Sequence, residues 1–296
     1  METPQAGEIH FDVRPVVNDR AEMATLSGLF RTVWPQNTIA RPECLDWLYF
    51  QNPRGAIIGF NAWHGSTLAA HYVVAPIAAE YRGREVPAAL SLNTATHPNY
   101  QRRGLFVRLA EATYARAREL GAHHVIGVAN DNSTPGCVRN LKFQNVGPLQ
   151  VRVGIGLPSA VADTTPPGTS WRRPWSAEDL AWRLKNPGRR YTWQRAANRV
   201  AVLAPTGKVG IQAVLKVASD ATLAGIIRSA TPGATPLGPR MWMGLSRRIK
   251  PAPTSMDLPK ALRIRPLNLI FLPLQDDDAT IEASTTEFEA LDFDAY

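Results

Sequence analysis

The chain has 296 residues, 45 % of them hydrophobic, and a formal net charge of +8. That length suits one large core or two modest ones, and no apolar run approaches the ~18 residues of a membrane helix. Two cysteines, Cys44 and Cys137, in unrelated contexts exclude a disulfide framework and a zinc site by spacing.

The charge is uneven. Residues 276–296 hold eight of the 25 acidic side chains and no Lys or Arg, so the first 275 residues set 33 basic side chains against 17 acidic ones. Such a body attracts polyanions. Its arginines are nevertheless scattered, with no basic helix stripe interleaved with aromatics, so a nucleic-acid partner is not expected. The first eight residues are polar and acidic, the reverse of a secretion signal. A cytoplasmic protein with no membrane attachment is expected, as monomer or homodimer. Phe288, Phe293 and Tyr296 lie among the last acids, a spacing that predicts an acidic tail docked on the basic body.

In chain order, Ile9–Val13 alternates as a short strand, and Asp19 can cap a helix over 20–33. A second helix, 42–50, opens on proline and stops before Asn52-Pro53. Apolar runs 56–63 and 67–77, joined by His64-Gly65-Ser66, predict a hairpin. A turn at Tyr81–Arg84 leads into a strand ending at Pro98. The basic loop Asn99–Gly104 follows, then a helix to Leu120 with Phe106, Leu109, Thr113, Ala117 and Leu120 on one face. Gly121 stops it. The run His123–Ala129 is a strand, and Asn130–Gly136 opens a short helix ending near Phe143.

A glycine turn between a strand and a helix start leaves main-chain N–H groups facing one way, and the helix dipole adds partial positive charge. Phosphate is the usual guest, and Arg102 and Arg103 can supplement the N–H groups.

The ordered set Thr96-His97-Pro98, Gln101-Arg102-Arg103-Gly104-Leu105-Phe106, amphipathic helix, strand and Leu141-Lys142-Phe143 resembles the GCN5-related N-acetyltransferase (GNAT) superfamily over residues 8–147. The resemblance implies an α/β fold, a mixed and mostly antiparallel sheet flanked by helices. It implies acetyl-CoA or another acyl-CoA as co-substrate, no metal, and a small-molecule amine as acceptor. Gln101, Arg102, Arg103, Gly104, Leu105 and Phe106 map to the pyrophosphate cradle. Thr94, Ala95 and Thr96 map to the main chain that grips pantetheine and acyl group, and Asn130 and Asn132 to contacts with the pantetheine. Two departures stand out: Phe106 where the family has a small residue, and Val138 where many members carry a tyrosine that protonates the leaving thiolate.

Candidates for proton transfer and acceptor contact are His71, Tyr72, Asn93 and His97. Histidine titrates near neutrality, Asn93 can orient the acceptor or a water, and Tyr72 or Tyr100 can stand in for the missing acid. His97 also reads as a structural turn residue, and the Asn130–Pro135 run as helix capping. Cys137 reads as a small buried thiol.

Residues 154–174 are rich in Pro and Gly and read as a linker between 1–153, the acyl-CoA-binding unit, and 175–296. Leu180-Ala-Trp182, with Asn186-Pro187, echoes Leu45-Asp-Trp47, with Asn52-Pro53. A hairpin over 200–217 follows, matched to the one turning at Gly65, then a helix over 221–230 and a strand over 262–274. No second Gln-x-x-Gly loop is present. A degenerate second GNAT-like half without coenzyme is expected, its Trp171, Trp175, Trp182 and Trp193 lining an interface or the acceptor cleft. Two other readings are a non-catalytic acyl-CoA-binding or scaffolding protein and a tRNA-dependent aminoacyl transferase of tandem fold.

Overall fold

The structure, a computed structural model, describes residues 9–160, 166–196, 199–219, 238–250, 252, 254–258, 266–275 and 279–293. The first half runs β1 (Asp12–Pro15), α1 (Arg20–Val33), α2 (Pro42–Phe50), β2 (Ile58–His64), β3 (Thr67–Tyr81), β4 (Arg84–Thr96), α3 (Leu105–Glu119), β5 (His124–Asn130), α4 (Thr134–Leu141), β6 (Gln144–Pro148) and β7 (Gln150–Ile155). The rest comprises β8 (Ser159–Ala160), β9 (Trp171–Arg172), α5 (Ala177–Leu184), β10 (Thr192–Ala196), β11 (Arg199–Pro205), β12 (Gln212–Ser219), β13 (Pro239–Leu245), β14 (Ile249–Lys250), β15 (Met256–Asp257), β16 (Leu267–Pro273) and β17 (Thr286–Glu289). The expected helix 221–230 lies outside the described residues, as do 276–278 and 294–296 of the tail.

Local chemistry sets the first-half elements. Asp19 accepts from the N–H groups of Ala21 and Glu22 at 3.0 and 2.9 Å, capping α1. The β3–β4 hairpin turns on Arg82 and Gly83, both at positive φ, which suits the twist of the paired strands. Along α3 the buried stripe is Leu105, Leu109, Ala110, Thr113, Tyr114 and Ala117. Leu120, expected on that face, is exposed because the helix has already ended there.

The two halves exchange strands. In the first, the order is β1-β2-β3-β4-β5-β16-β6, with β16 inserted antiparallel between β5 and β6. In the second, it is β10-β11-β12-β13-β7-β15, with β7 filling the corresponding slot. The division of the sequence into 1–153, 154–174 and 175–296 is therefore not the division of the sheets. Within the linker region, β7, β8 and β9 are paired strands. The hydrogen-bond pattern also corrects the repeat's alignment. β12 pairs parallel with β13 as β4 pairs parallel with β5, so hairpin β11–β12 corresponds to β3–β4 and not to the hairpin at Gly65.

The repeated helices meet face to face. Trp47 of α2 and Trp182 of α5 stack at 4.8 Å and 16°. Each indole N–H donates to the other's main-chain carbonyl, at 3.0 and 3.1 Å. Asn52 and Asn186 accept from the N–H two residues on, Arg54 and Gly188, at 3.0 and 2.8 Å. Arg54 forks onto Asp179 across the same seam. Trp171 is fully buried there, its Nε1 donating to His124 Nε2 at 2.9 Å. One core cluster runs from Ile77, Leu90 and Phe271 to Leu180, Leu215 and Phe288. The aromatic tail docks in this seam: Phe288 is buried in the cluster and stacks on Phe293.

Because β16 is flanked on both sides by first-half strands, the fragment 1–153 should show no cooperative thermal unfolding and should aggregate. A sharp melting transition for that fragment, followed by circular dichroism, would show that the exchanged strand is dispensable.

Candidate active site

The site begins where β4 and β5 part. They pair in parallel through Ala89↔Val125, Leu90↔Ile126 and Ser91↔Gly127, and no further. Beyond Ser91, β5 stays attached to β16 on its other edge, while β4 remains bound to β3. The β4 edge of Leu92–Thr96 that faces β5 therefore has no strand partner among the described residues. A bulge bends β4 at this point. Pairing jumps from Val73↔Leu92 to His71↔Ala95, so Asn93 and Thr94 together oppose the single residue Tyr72. Asn93 takes φ +50°, a conformation that asparagine tolerates better than most residues.

Thr96 leads through His97 and one 3₁₀ turn, Pro98–Tyr100, to Gln101, Arg102, Arg103 and Gly104, all four exposed. Arg102 and Gly104 have φ of +61° and +72°. The first α3 hydrogen bond runs from the Arg108 N–H to the Gly104 carbonyl at 3.1 Å. Leu105, Phe106 and Val107 thus present N–H groups with no intrahelical acceptor, and no side chain caps this end. Phe106 does not obstruct it: its ring packs edge-on against Tyr72 at 5.8 Å and lies beside Gly136 of α4. Its bulk packs between β3 and α4.

Asn130 and Asn132 part company. Asn130 Oδ1 accepts from the N–H groups of Asn132 and Ser133 at 3.0 and 3.1 Å, which holds the turn into α4. Asn132 is exposed at the same turn. Asn268 of β16, not singled out in the sequence, donates to Thr134 Oγ1 at 3.1 Å beside it. Only the strand exchange brings Asn268 there.

The proton-transfer candidates scatter. His71 is 1 % exposed, and burial pushes its pKa down to about 3. Asn61 Nδ2 donates to Glu22 Oε1 at 2.7 Å, so Asn61 Oδ1 faces His71 Nδ1 at 2.6 Å. The imidazole must then donate from Nδ1 and accept at Nε2 from the Tyr49 hydroxyl at 2.8 Å. Asn93 Nδ2 reaches that hydroxyl at 3.4 Å. His71 is thus a neutral post in a chain leading to the bulge, out of reach of solvent, rather than an accessible base. The chain is invisible in the sequence, since Glu22, Tyr49, Asn61, His71 and Asn93 come from five elements.

Tyr72 is buried too, its hydroxyl held by Ser91 Oγ at 2.8 Å and by the Tyr114 hydroxyl. Burial drives its pKa up to about 12. His97 Nδ1 accepts from the Asn99 N–H at 3.3 Å and shapes the 3₁₀ turn. Tyr100 packs edge-on to Phe11 and bonds His64 Nδ1 at 3.0 Å. Val138 sits half-buried on α4 beside Cys137, whose thiol pKa burial raises to about 11. Neither cysteine is in a disulfide, and no metal-binding group of His, Cys, Asp or Glu occurs among the described residues. No helix among them is long and apolar enough to cross a membrane. Volume is a poor guide to the site. A groove of ≈ 930 Å³ lies at the far end of β4, lined by Phe60, Pro76, Val86 and Leu120, away from fork and loop.

A forked strand pair with a bulge, followed by an uncapped helix start on a basic glycine loop, defines a fold suited to holding an acyl thioester by main chain and its phosphates by N–H groups. Residues 19–141 match the family model of the GNAT acetyltransferase domain. A conserved protein of unknown function from Enterococcus faecalis is 13 % identical with a TM-score of 0.63, over 90 % of this chain and 73 % of its own. A GCN5-related N-acetyltransferase from Kribbella flavida is 14 % identical with a TM-score of 0.56, over 90 % and 72 %. The N-myristoyltransferase of Saccharomyces cerevisiae with bound myristoyl-CoA is 11 % identical with a TM-score of 0.52, over 92 % and 80 %. At these identities the likeness is one of fold, and it extends through both halves. No curated protein matches the chain.

The second half keeps the fork and closes it. β12 and β13 pair in parallel over Gln212↔Arg240, Ala213↔Met241 and Val214↔Trp242 and then part. A bulge again places the extra residue, Leu215, on the strand corresponding to β4. Here β17 takes the vacated edge of β13, at Gly244↔Glu289 and Leu245↔Phe288. Glu289 Oε2 accepts from the Val217 N–H of β12 at 3.2 Å, and Lys216 Nζ lies 2.8 Å from the same carboxylate. The chain's own tail thus fills this cleft.

His71 and His124 carry a pH signature, since burial holds both near pKa 3. The unfolded chain binds their protons from about pH 6.5 downward while the native state does not, so acid favours unfolding. Urea unfolding should lose roughly 1.4 kcal/mol per pH unit for each histidine as pH falls from about 6.5 to 5. A flat profile over that interval would mean that both imidazoles protonate in the native fold.

Proposed function

We propose that this protein moves an acetyl or other acyl group from coenzyme A to the amine of a small molecule by direct attack in a ternary complex. The observation that carries the reading is the unpaired edge of Leu92–Thr96 leading straight into the uncapped start of α3. In this reading Gly104, Leu105 and Phe106 hold the pyrophosphate through N–H groups, with Gln101, Arg102 and Arg103 around it. The edge at Thr94, Ala95 and Thr96 binds the pantetheine and the thioester carbonyl. The amine nitrogen attacks the carbonyl carbon, main-chain N–H groups stabilise the oxyanion, and collapse breaks the C–S bond to release the thiolate.

Asn93 is the side chain best placed to meet the amine or a water. The chain Glu22–Asn61–His71–Tyr49 fixes its amide by accepting from Nδ2, leaving Oδ1 as acceptor for the incoming N–H. The proton leaves to solvent. No side-chain acid is required, because Tyr72 is engaged on both sides and a thiolate is already a fair leaving group. A second coenzyme in the other half is disfavoured by β17 in its fork. That argues for one catalytic centre per chain.

Gly104→Glu places a carboxylate where the phosphates would lie, at a residue whose added Cβ has open space but whose φ of +72° strains any L side chain. Calorimetry should show acetyl-CoA affinity reduced by at least about a hundredfold, roughly 3 kcal/mol, with the fold retained by circular dichroism. Unchanged affinity would place the coenzyme elsewhere. Thiol release against a panel of amines then tests transfer itself: coenzyme binding without turnover on any amine would favour a non-catalytic acyl-CoA-binding protein.

A further inference from the structure

Five side chains link the start of α1 to the bulge of β4, and four of them can be read in either direction. An amide, a neutral imidazole and a phenol each carry both a donor and an acceptor. Turned end for end, Asn61, His71, Tyr49 and Asn93 would keep their mutual hydrogen bonds. Tyr49 would donate to Asn93 Oδ1, His71 Nε2–H to Tyr49, and Asn61 Nδ2 to His71 Nδ1. Those four residues by themselves select neither sense.

Glu22 is the one-sided member. An ionised carboxylate only accepts, and Glu22 Oε1 takes Asn61 Nδ2 at 2.7 Å and the Val17 N–H at 3.4 Å. Asn61 Oδ1 must therefore face His71 Nδ1, 2.6 Å away, and the proton of the neutral imidazole sits on Nδ1. Tyr49 then donates to Nε2 at 2.8 Å, which leaves its oxygen to accept from Asn93 Nδ2 at 3.4 Å.

Packing holds these groups in place while leaving the sense open. Asn61 is fully buried and His71 is 1 % exposed. The imidazole stacks on Tyr49 at 5.8 Å and 8° and meets Phe30 edge-on at 5.5 Å. A ring so clamped changes sense by moving its proton, without rotating, whereas each amide does so by a half-turn about its last bond. Glu22 itself is half-buried in the first turn of α1, where the helix dipole favours a negative charge.

We propose that Glu22 is a positioning residue for acyl transfer: its carboxylate sets the sense of the whole chain, and so presents the oxygen of Asn93, rather than its NH2, to the acceptor. Only the last link, from Asn93 to the amine, rests on the acyl-transfer reading. An outward Oδ1 suits a group that brings an N–H. An outward NH2 would meet the amine donor to donor. The link from Asn93 to Tyr49 is the longest in the chain, so turnover should respond modestly while the tautomer responds in full.

The tautomer of His71 reports the sense directly. Two-bond proton–nitrogen NMR on the full-length chain labelled at histidine nitrogen, with His71 identified by its loss in His71→Gln, should show Nδ1–H in the wild type. Glu22→Lys replaces an acceptor by a donor-only group and should switch it to Nε2–H. Thiol release should then show kcat down about tenfold, the worth of one hydrogen bond, with the acetyl-CoA KM within about twofold. Glu22→Gln keeps an oxygen for Asn61 and Val17, and should restore the Nδ1–H tautomer and most of the turnover. Should Glu22→Lys fold poorly, Tyr49→Phe cuts the chain beyond His71. The tautomer should stay Nδ1–H there, because its sense comes from Glu22, while kcat falls. Nε2–H in the wild type, Nδ1–H retained in Glu22→Lys, or a switch in Tyr49→Phe overturns the proposal. So does a loss of turnover in Glu22→Lys that Glu22→Gln repeats in full. A wild type that turns over no amine sinks the acyl-transfer reading instead, and the tautomer still decides whether Glu22 sets the sense.

Discussion

Two parallel strands that stop pairing leave a row of main-chain N–H and C=O groups that must bond something, because an orphaned backbone group in an interior is costly. That constraint governs this molecule twice. In the first half, β4 leaves β5 after Ser91, and the bulge at Asn93–Thr94 turns its edge toward the opening. In the second half, β12 leaves β13 after Val214 with a similar bulge, and β17 supplies the missing bonds. The same backbone geometry therefore yields an open edge in one half and a closed one in the other. What separates them is whether a segment of chain reaches the gap.

The exchange of β7 and β16 makes the halves interdependent. Each sheet contains one strand that arrives from the other half of the sequence, buried between two neighbours. The Trp47–Trp182 stack, with its reciprocal bonds, and the Arg54–Asp179 fork then fix how the halves face each other. Trp171, Trp175, Trp182 and Trp193 belong to this seam and its core. Trp171 bonds His124, Trp175 bonds Asp292, Trp182 stacks on Trp47 and Trp193 packs against the shared cluster. Acidic residues of the tail are drawn inward by cations and N–H groups: Glu289 to Lys216, Glu287 to the Arg247 N–H. Docking thus completes the second fork.

The sequence alone determined the elements whose signals are local. The cap at Asp19, proline opening α2, the glycine of the loop and the periodicities of α1 and α2 act within a few residues, and the structure places those helices at 20–33 and 42–50 as read. The repeated Leu-x-Trp and Asn-Pro pattern marked the second half for the same reason, since the turns after Asn52 and Asn186 are short-range hydrogen-bond devices. Tertiary structure decided what depends on contacts distant in the chain. Strand partners are chosen by hydrogen bonds that leave no periodic trace, so neither the exchange of β7 and β16 nor the correct match of β11–β12 to β3–β4 was legible. The same holds for His71, whose residue type suggests a base at neutral pH. Only burial among Tyr49, Asn61 and Phe30 makes it a neutral post, because the desolvation that sets its protonation is a property of the packed fold and not of any stretch of sequence.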